Sequence, residues 1–187
     1  MRRHEDKQEI RPEAVVDMNE QNQFSSIPMG VIFRAANELV AKGLIENWAL
    51  GGALAGVYYT EPVATYDADL FFIPADKSVA AGIPGIYAHL QAQGWSVEGE
   101  HLNVQGFPVQ LLGAHGLTEE AVLTAAGIEF EGVPGRVFLA EYIIAIAASV
   151  GRAKDRARIE QMLGQSKIDH ERLNAVLKRH NLALPKL

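Results

Sequence analysis

"GGALAGVYYTEPVATYDADLFFI", residues 51–73, opens on two glycines and carries two aspartates, Asp67 and Asp69, near its end. The run over 64–73 has the aromatic and branched content of a strand, and the preceding "ALAGVYYT" is apolar enough for a buried helix, broken by Glu61 and Pro62. On a strand, side chains at i and i+2 share a face, with Cα atoms about 6.5–7 Å apart. Asp67 and Asp69 are therefore expected to project together, while Ala68 and Leu70 face the other layer. Two carboxylates at that separation can share hard divalent cations, and Mg²⁺ favours one or two carboxylates with phosphate oxygens. Taken alone, "DAD" is more often a loop or capping pair, and Gly-Gly more often a tight turn. Here Gly51-Gly52 stands between the strand-like "NWAL" and the helix. Such a turn presents backbone N–H groups at a helix N-terminus, a seat for phosphate. Glycine turn, helix, then a strand bearing D-x-D is more specific than either motif alone.

Outward from this stretch, Ile32, Ala35, Ala36, Leu39 and Val40 fall at helical spacing, with Gly43 as the stop. "LIENWALGG" reads as a short strand running into the glycine turn. Beyond Pro74, a helix is predicted from Val79 or Pro84 to Gln93, ended by Gly94. "WSVEGEHLNVQGFPVQLLGA" reads as a β-hairpin turning at Gln105-Gly106. A helix follows near Thr118 with Glu119 and Glu120 in its first turn, and "IEFEGVPGRVFL" reads as a second hairpin. Three helices close the chain: the buried "AEYIIAIAASV", the amphipathic "AKDRARIEQML" with Ile159, Met162 and Leu163 inward, and "IDHERLNAVLKRH". For the last, Ser166 with Asp169 three residues on resembles a capping box. The fold class is α+β: a mixed sheet flanked by helices with a C-terminal helical segment. The divisions are a polar arm over 1–24, an α/β core over 25–135 and the helical segment over 136–187.

The composition is that of a globular chain. Of 187 residues, 48% are hydrophobic and 21% charged, enough for a real core. The net charge of −6 does not indicate a dedicated nucleic-acid binder, although a local basic patch is compatible with it. With no cysteine there is no disulfide framework, zinc–thiolate site or cysteine nucleophile, which suits a reducing cytoplasm. The first 24 residues lack the apolar core of a signal peptide. The stretch over 78–97 lacks Asp, Glu, Lys and Arg, but its glycines, proline, histidine and glutamines rule out a membrane helix. A soluble, cytoplasmic protein is expected. The six histidines show no metal-ligand spacing.

The block "GGALAGVYYT…TYDADLFF" resembles the signature of the nucleotidyltransferase-fold superfamily: Gly-Gly or Gly-Ser, a helix of about this length, then Asp-x-Asp on the next strand. It is most similar to the AbiEii-like group and related bacterial proteins, which often carry a threonine two residues before the first aspartate, as Thr65 is here. A second block fits their helical half: Glu141, then "YIIAIAASVGRAKDRARIEQML". The resemblance implies that Gly51 and Gly52 hold the triphosphate and that Asp67 and Asp69 hold two Mg²⁺ ions, completed by a third acid on a neighbouring strand. Thr65, Arg152 and Lys154 would join the nucleotide site. Catalysis would follow two-metal logic, one ion activating an acceptor hydroxyl and the other stabilising the departing pyrophosphate.

The chain departs from that pattern where the third acid belongs. The hairpin reads "VQLL", with Gln110 in the acid's place. Glutamine offers a neutral carbonyl but no charge, and it cannot serve as a base. A missing unit charge about 4 Å from a cation is worth several kcal/mol at an effective dielectric of roughly 20. The lysine often found in the first C-terminal helix appears as Ala147, the second acid of the "KD..D" run as Arg158, and the basic residue before the threonine as Val63 or Ala64. Glu98 and Glu100 are alternative acids, more often a solvated strand face. Arg152 and Lys154 are equally well read as helix-terminal cations pairing with Asp155 or Glu141. Two readings stay open. One is a Mg²⁺-dependent enzyme moving NMP from an NTP onto a protein, RNA or small molecule. The other is a degenerate binding or regulatory module of toxin–antitoxin or defence type. A blander third is an α+β domain that pairs with itself through the apolar 142–150 helix.

Overall fold

The computed structural model describes residues 27–61, 65–75 and 79–186. The expected arm over 1–24 lies outside them. Helix α1 (Met29–Ala41) leads through Gly43 into β1 (Ile45–Leu50), followed by the short α2 (Gly52–Val57), β2 (Ala68–Pro74) and α3 (Val79–Ala92). Strands β3 (Ser96–Glu98), β4 (His101–Val104) and β5 (Phe107–Gly113) come next, then α4 (Leu117–Leu123), β6 (Ala126–Phe130) and β7 (Val133–Val137). The chain ends in α5 (Ala140–Val150), α6 (Ala153–Gln165) and α7 (His170–Arg179).

The described strands form one mixed sheet in the order β3-β4-β5-β2-β1-β7-β6. The pairs β2/β5 and β1/β7 are parallel and the remaining neighbours antiparallel. Its two faces can be told apart from single contacts. Phe33 of α1 stacks on Trp48 with ring centroids 5.2 Å apart, and its ring also lies close over Gly135. Helix α1 therefore covers the face that carries Trp48 and its register neighbour Phe72, with Leu70 and Ala68 further along β2. Asp69 alternates with these and points to the opposite face, and Asp67 immediately precedes the strand. The burial pattern agrees: Ala68 and Leu70 are buried, and the aspartates are half-exposed.

Three local expectations are corrected. The segment over 95–114 is not one hairpin but a three-stranded meander, with a second turn at Gly99-Glu100 beside the expected one at Gln105-Gly106. Both residues of the latter turn have positive φ, 54° and 84°, the geometry that joins antiparallel strands tightly. The strand starts at Ala68, not at 64, so it carries Asp69 but not Asp67, which stands just ahead of it: the Thr65 hydroxyl donates to the Asp67 carbonyl at 3.1 Å and closes a local turn there. Ser166 does not cap the last helix. It ends α6 and its hydroxyl donates to the Tyr59 carbonyl, while Asp169 caps α7 by accepting from the Arg172 amide at 2.9 Å.

The C-terminal helices are held by two polar anchors, one buried and one half-buried. Glu141, buried in the first turn of α5, accepts the Asp169 amide at 2.8 Å and pairs with Arg172 at 3.6 Å. Glu120 of α4 accepts from the Tyr142 hydroxyl at 2.7 Å, lies 2.7 Å from His180 Nε2 and is bridged by the Arg179 guanidinium. Tyr142, Ile143, Ile144, Ala145 and Ala147 are buried within the chain. The self-pairing surface expected over 142–150 is therefore largely covered by the protein's own helices.

Candidate nucleotide site

The glycines and the second aspartate fit together by contact. Gly52 has φ +63°, a left-handed conformation, and a Cβ placed on it would stand 1.8 Å from Asp69 Oδ2. Any side chain at 52 would collide with the carboxylate. Gly51 is excluded from larger residues for a different reason, since its Cβ would fall 2.5 Å from the Phe71 ring and 2.9 Å from Phe138. The Gly51 amide is not free for a phosphate: it donates to the Asp69 carbonyl at 2.8 Å, the last rung joining β1 to β2. That corrects the expectation that both glycines offer amides. Gly52 lets Asp69 lie against the backbone at the head of α2, and Gly51 lets that backbone pass under the Phe71 and Phe138 rings.

Register carries the site across the sheet. Asp69 pairs with Gln110 on the parallel strand β5, so the two side chains stand side by side on one face. Gln110 thus occupies the place on the neighbouring strand at which a third acid was expected. Val109 pairs with Leu102 and Glu98 with His101, so one step along the meander the same row continues from Gln110 through His101 to Glu98. Asp67, Pro108 and Asn103 lie in the adjoining row. A cleft of about 310 Å³ opens there, lined by Tyr66, Asp67, Glu98, His101, Asn103 and Pro108. Tyr66 stands at its rim with 82% of its surface exposed. Of the two alternative acids, Glu98 lines this cleft and accepts from Ser96 at 3.3 Å, whereas Glu100 sits exposed in the turn.

The electrostatics of Asp69 tie the strand to the helical half. Burial pushes its carboxyl above the usual range and the charge of Asp67 adds to that, while Arg158, Lys154 and Arg152 pull it back. Three of the four cations over 152–158 therefore act on Asp69; Arg156 is not among them. Arg152 is also held locally, its Nε and Nη2 on the two Asp155 oxygens at 2.7 and 3.2 Å. Burial alone would raise the Asp155 carboxyl, but the Arg152 hydrogen bonds outweigh it and hold it low. The reading of Arg152 as a helix-terminal cation paired with Asp155 is thus met; Glu141 takes Arg172 instead. Thr65 spends its hydroxyl on the Asp67 carbonyl. Among the described residues no group of three or more His, Asp or Glu side chains converges as a ready-made metal cage.

Three solved structures share this arrangement of elements. The antibiotic-resistance factor ANT(2'')-Ia in solution matches with a TM-score of 0.51 at 13% identity, over 83% of this chain and 92% of that one. Its complex with adenylyl-2''-tobramycin matches with 0.50 at 13%, over 82% and 97%. An antigenic nucleotidyltransferase-like protein from Paracoccidioides brasiliensis matches with 0.52 at 14%, over 80% and 85%. The fold is nucleotidyltransferase-like. No family model matches the sequence, and no curated protein does. Within the nucleotidyltransferase-like fold, the glycine pair, the two aspartates and Gln110 come together at one end of β2 and β5. Sequence reading did not single out Tyr66, His101 and Asn103 of the cleft, or Arg158, whose charge acts on Asp69, as ligand-binding candidates. For Arg158 the spacing from Lys154, one helical turn, was the available signal.

Proposed function

We propose that the protein binds a nucleoside triphosphate with Mg²⁺ on the Asp67/Asp69 face and transfers its nucleotidyl group slowly, if a hydroxyl acceptor is supplied. The observation that carries the reading is the fit of Asp69 against Gly52 in register with Gln110. Two neighbouring carboxylates, one of them destabilised by the other's charge, suit a shared cation. The donor set suits one divalent ion better than two, because Gln110 supplies an oxygen but no charge. Bound Mg²⁺ would neutralise phosphate charge and polarise the bond that breaks.

The chain's own residues then divide the work. Asp67 and Asp69 hold the cation side of the triphosphate. Gly52 keeps backbone close to it, and Arg152 and Lys154 face the phosphates. In transfer, an acceptor oxygen bonds to the α-phosphorus as the α–β bridging bond breaks, and pyrophosphate leaves. Gln110 cannot take the acceptor's proton, which passes to solvent, and turnover is slow. The cleft beside Asp67 has room for part of a small acceptor; the adenylyl-2''-tobramycin bound to a structural neighbour favours that class over RNA or protein. The alternative is a regulatory module of the AbiEii-like, toxin–antitoxin type. Gln110 favours it, because such a module needs nucleotide binding without turnover.

Thermal shifts with each of the four NTPs, with and without Mg²⁺, test the reading. A ligand at one hundred times its Kd stabilises by about 2.7 kcal/mol. The expected result is a Mg²⁺-dependent rise that disappears in the double variant Asp67→Asn, Asp69→Asn. Equal affinity in that variant by isothermal titration would remove the metal-site assignment.

A further inference from the structure

We infer that Arg158 is a phosphate-binding residue of this site, supplying from α6 a fixed positive charge that the strand side, with Gln110, does not recruit through a second metal ion. The inference rests on the nucleotide reading above and adds to it a residue, a position along the polyphosphate and a metal count.

Three observations converge on Arg158. It lies one helical turn beyond Lys154, so both project from one side of α6. That side is fixed by the buried residues Asp155, Ile159 and Met162, which seat the helix against the core. Helix α6 runs alongside α2: Met162 Sδ lies 4.0 Å from where a Cβ on Gly56 would stand, and the Ser166 hydroxyl reaches the Tyr59 carbonyl, so Arg158, one turn before Met162, falls level with Gly52, against which Asp69 lies. Its guanidinium is also weakly committed for a largely covered group. The side chain is 23% exposed, yet among the described residues its one ion pair is a long 3.9 Å approach to Asp155, whose oxygens Arg152 already engages at 2.7 and 3.2 Å. A guanidinium has five N–H donors in a planar fork that matches phosphate oxygens, and covering them without partners is costly. The Asp155 carboxylate answers one of the two arginines, so the Arg152–Asp155–Arg158 group keeps one positive charge.

A triphosphate seated between β2 and α6 would meet carboxylate-held Mg²⁺ on one side and Arg158 with Lys154 on the other. With the acceptor in the cleft beside Asp67, the α-phosphorus would lie at that Tyr66–Glu98 end. The β- and γ-phosphates therefore fall toward α6, and Arg158 reads them and not the nucleoside.

The experiment is isothermal titration of the full chain with the tightest-binding NTP of the four-NTP panel and with its di- and monophosphate, at saturating Mg²⁺. It compares wild type, Arg158→Gln and Arg158→Lys, each with its melting temperature. Arg158→Gln removes a charge-assisted hydrogen bond to phosphate and should weaken NTP binding by about 10- to 100-fold. Diphosphate binding should weaken by less and monophosphate binding by little, and Arg158→Lys should recover part of the affinity. Manganese titration with bound NTP should show one tight ion per chain in wild type and a second in Gln110→Asp. Equal NTP affinity in Arg158→Gln and wild type, or a loss as large for the monophosphate as for the triphosphate, would overturn the assignment while leaving the nucleotide site standing. Two tight manganese ions in wild type would overturn the metal count. A wild type that binds no NTP with Mg²⁺ would overturn this inference and the nucleotide reading together.

Discussion

At the scale of single residues, the site is built on one steric exclusion and one electrostatic cost. Gly52→Ala should be far more damaging than its size implies. An alanine in the left-handed region costs about 1–2 kcal/mol by itself, and its Cβ would fall 1.8 Å from Asp69 Oδ2. The carboxylate must move, so the variant should fold with a lower melting temperature and lose the Mg²⁺–NTP thermal shift. Asp69 carries the opposite trade. Its carboxyl is raised by burial and then by Asp67, and a raised folded-state pKa gives stability at low pH that is lost as pH rises through it. At neutral pH without metal the charge is a burden. Asp69→Asn in EDTA should therefore melt at or above wild type, while losing the gain from Mg²⁺ and NTP. A melting temperature several degrees below wild type would show that Asp69 serves the fold rather than a ligand. Gln110→Asp tests the third position: it restores a charge and a proton acceptor with little change in volume, and Mg²⁺-dependent pyrophosphate release should rise well above wild type.

Elements are joined by a few polar anchors, and these give a pH dependence that can be assigned. Glu120 links α4 to Tyr142 of α5 and to Arg179 and His180 at the end of α7. Burial would raise its carboxyl, but the hydrogen bonds from Arg179, His180 and Tyr142 outweigh it and hold it at about 2, against an ordinary 4.5. A depressed carboxyl contributes stability above its unfolded value, lost as pH falls from about 4.5 to about 2. Glu120→Gln should cost roughly 1–2 kcal/mol at pH 7, allowing for solvent screening of a partly exposed group, and remove that part of the acid slope. Urea midpoints at pH 7 and pH 3 check both. At this scale the sequence was legible where one residue type decides: Gly43 and Gly94 as helix stops, Gln105-Gly106 as a turn, Ala68 and Leu70 as the inner face of β2. It was not legible where local rules compete. Glu98, Gly99 and Glu100 read as one polar strand edge, although the turn there splits the segment into a meander. Ser166 has the right chemistry for a cap, but Asp169 stands directly before the helix that forms. Thr65 fits a strand by propensity and instead closes a turn through its hydroxyl.

Across the whole molecule, the mixed sheet with its helical tail was legible because the order of glycine turn, helix and D-x-D is set within one stretch of chain. The convergence of α6 on that stretch was not, because it depends on how α5 packs and no local pattern reports that. Proximity of Gln110 to Asp69 was readable only through the resemblance; the register of β2 on β5 makes it physical. The same pairing has a consequence in time. Asp69 and Gln110 are brought together by a parallel crossover that must close around α3 and the strands β3 and β4, and the α6 cations come from still later in the chain. The β6–β7 and β4–β5 hairpins can form from local chain alone, whereas this pairing carries the loop-closure entropy of a long segment. A ribosome-bound chain lacking the last helices would hold its aspartates in order and still have no α6 to face them. Nucleotide protection, followed by pulsed proteolysis on stalled chains of increasing length, should therefore appear only once α6 has emerged, so ligand capture would time the arrival of α6 and not the closing of the sheet.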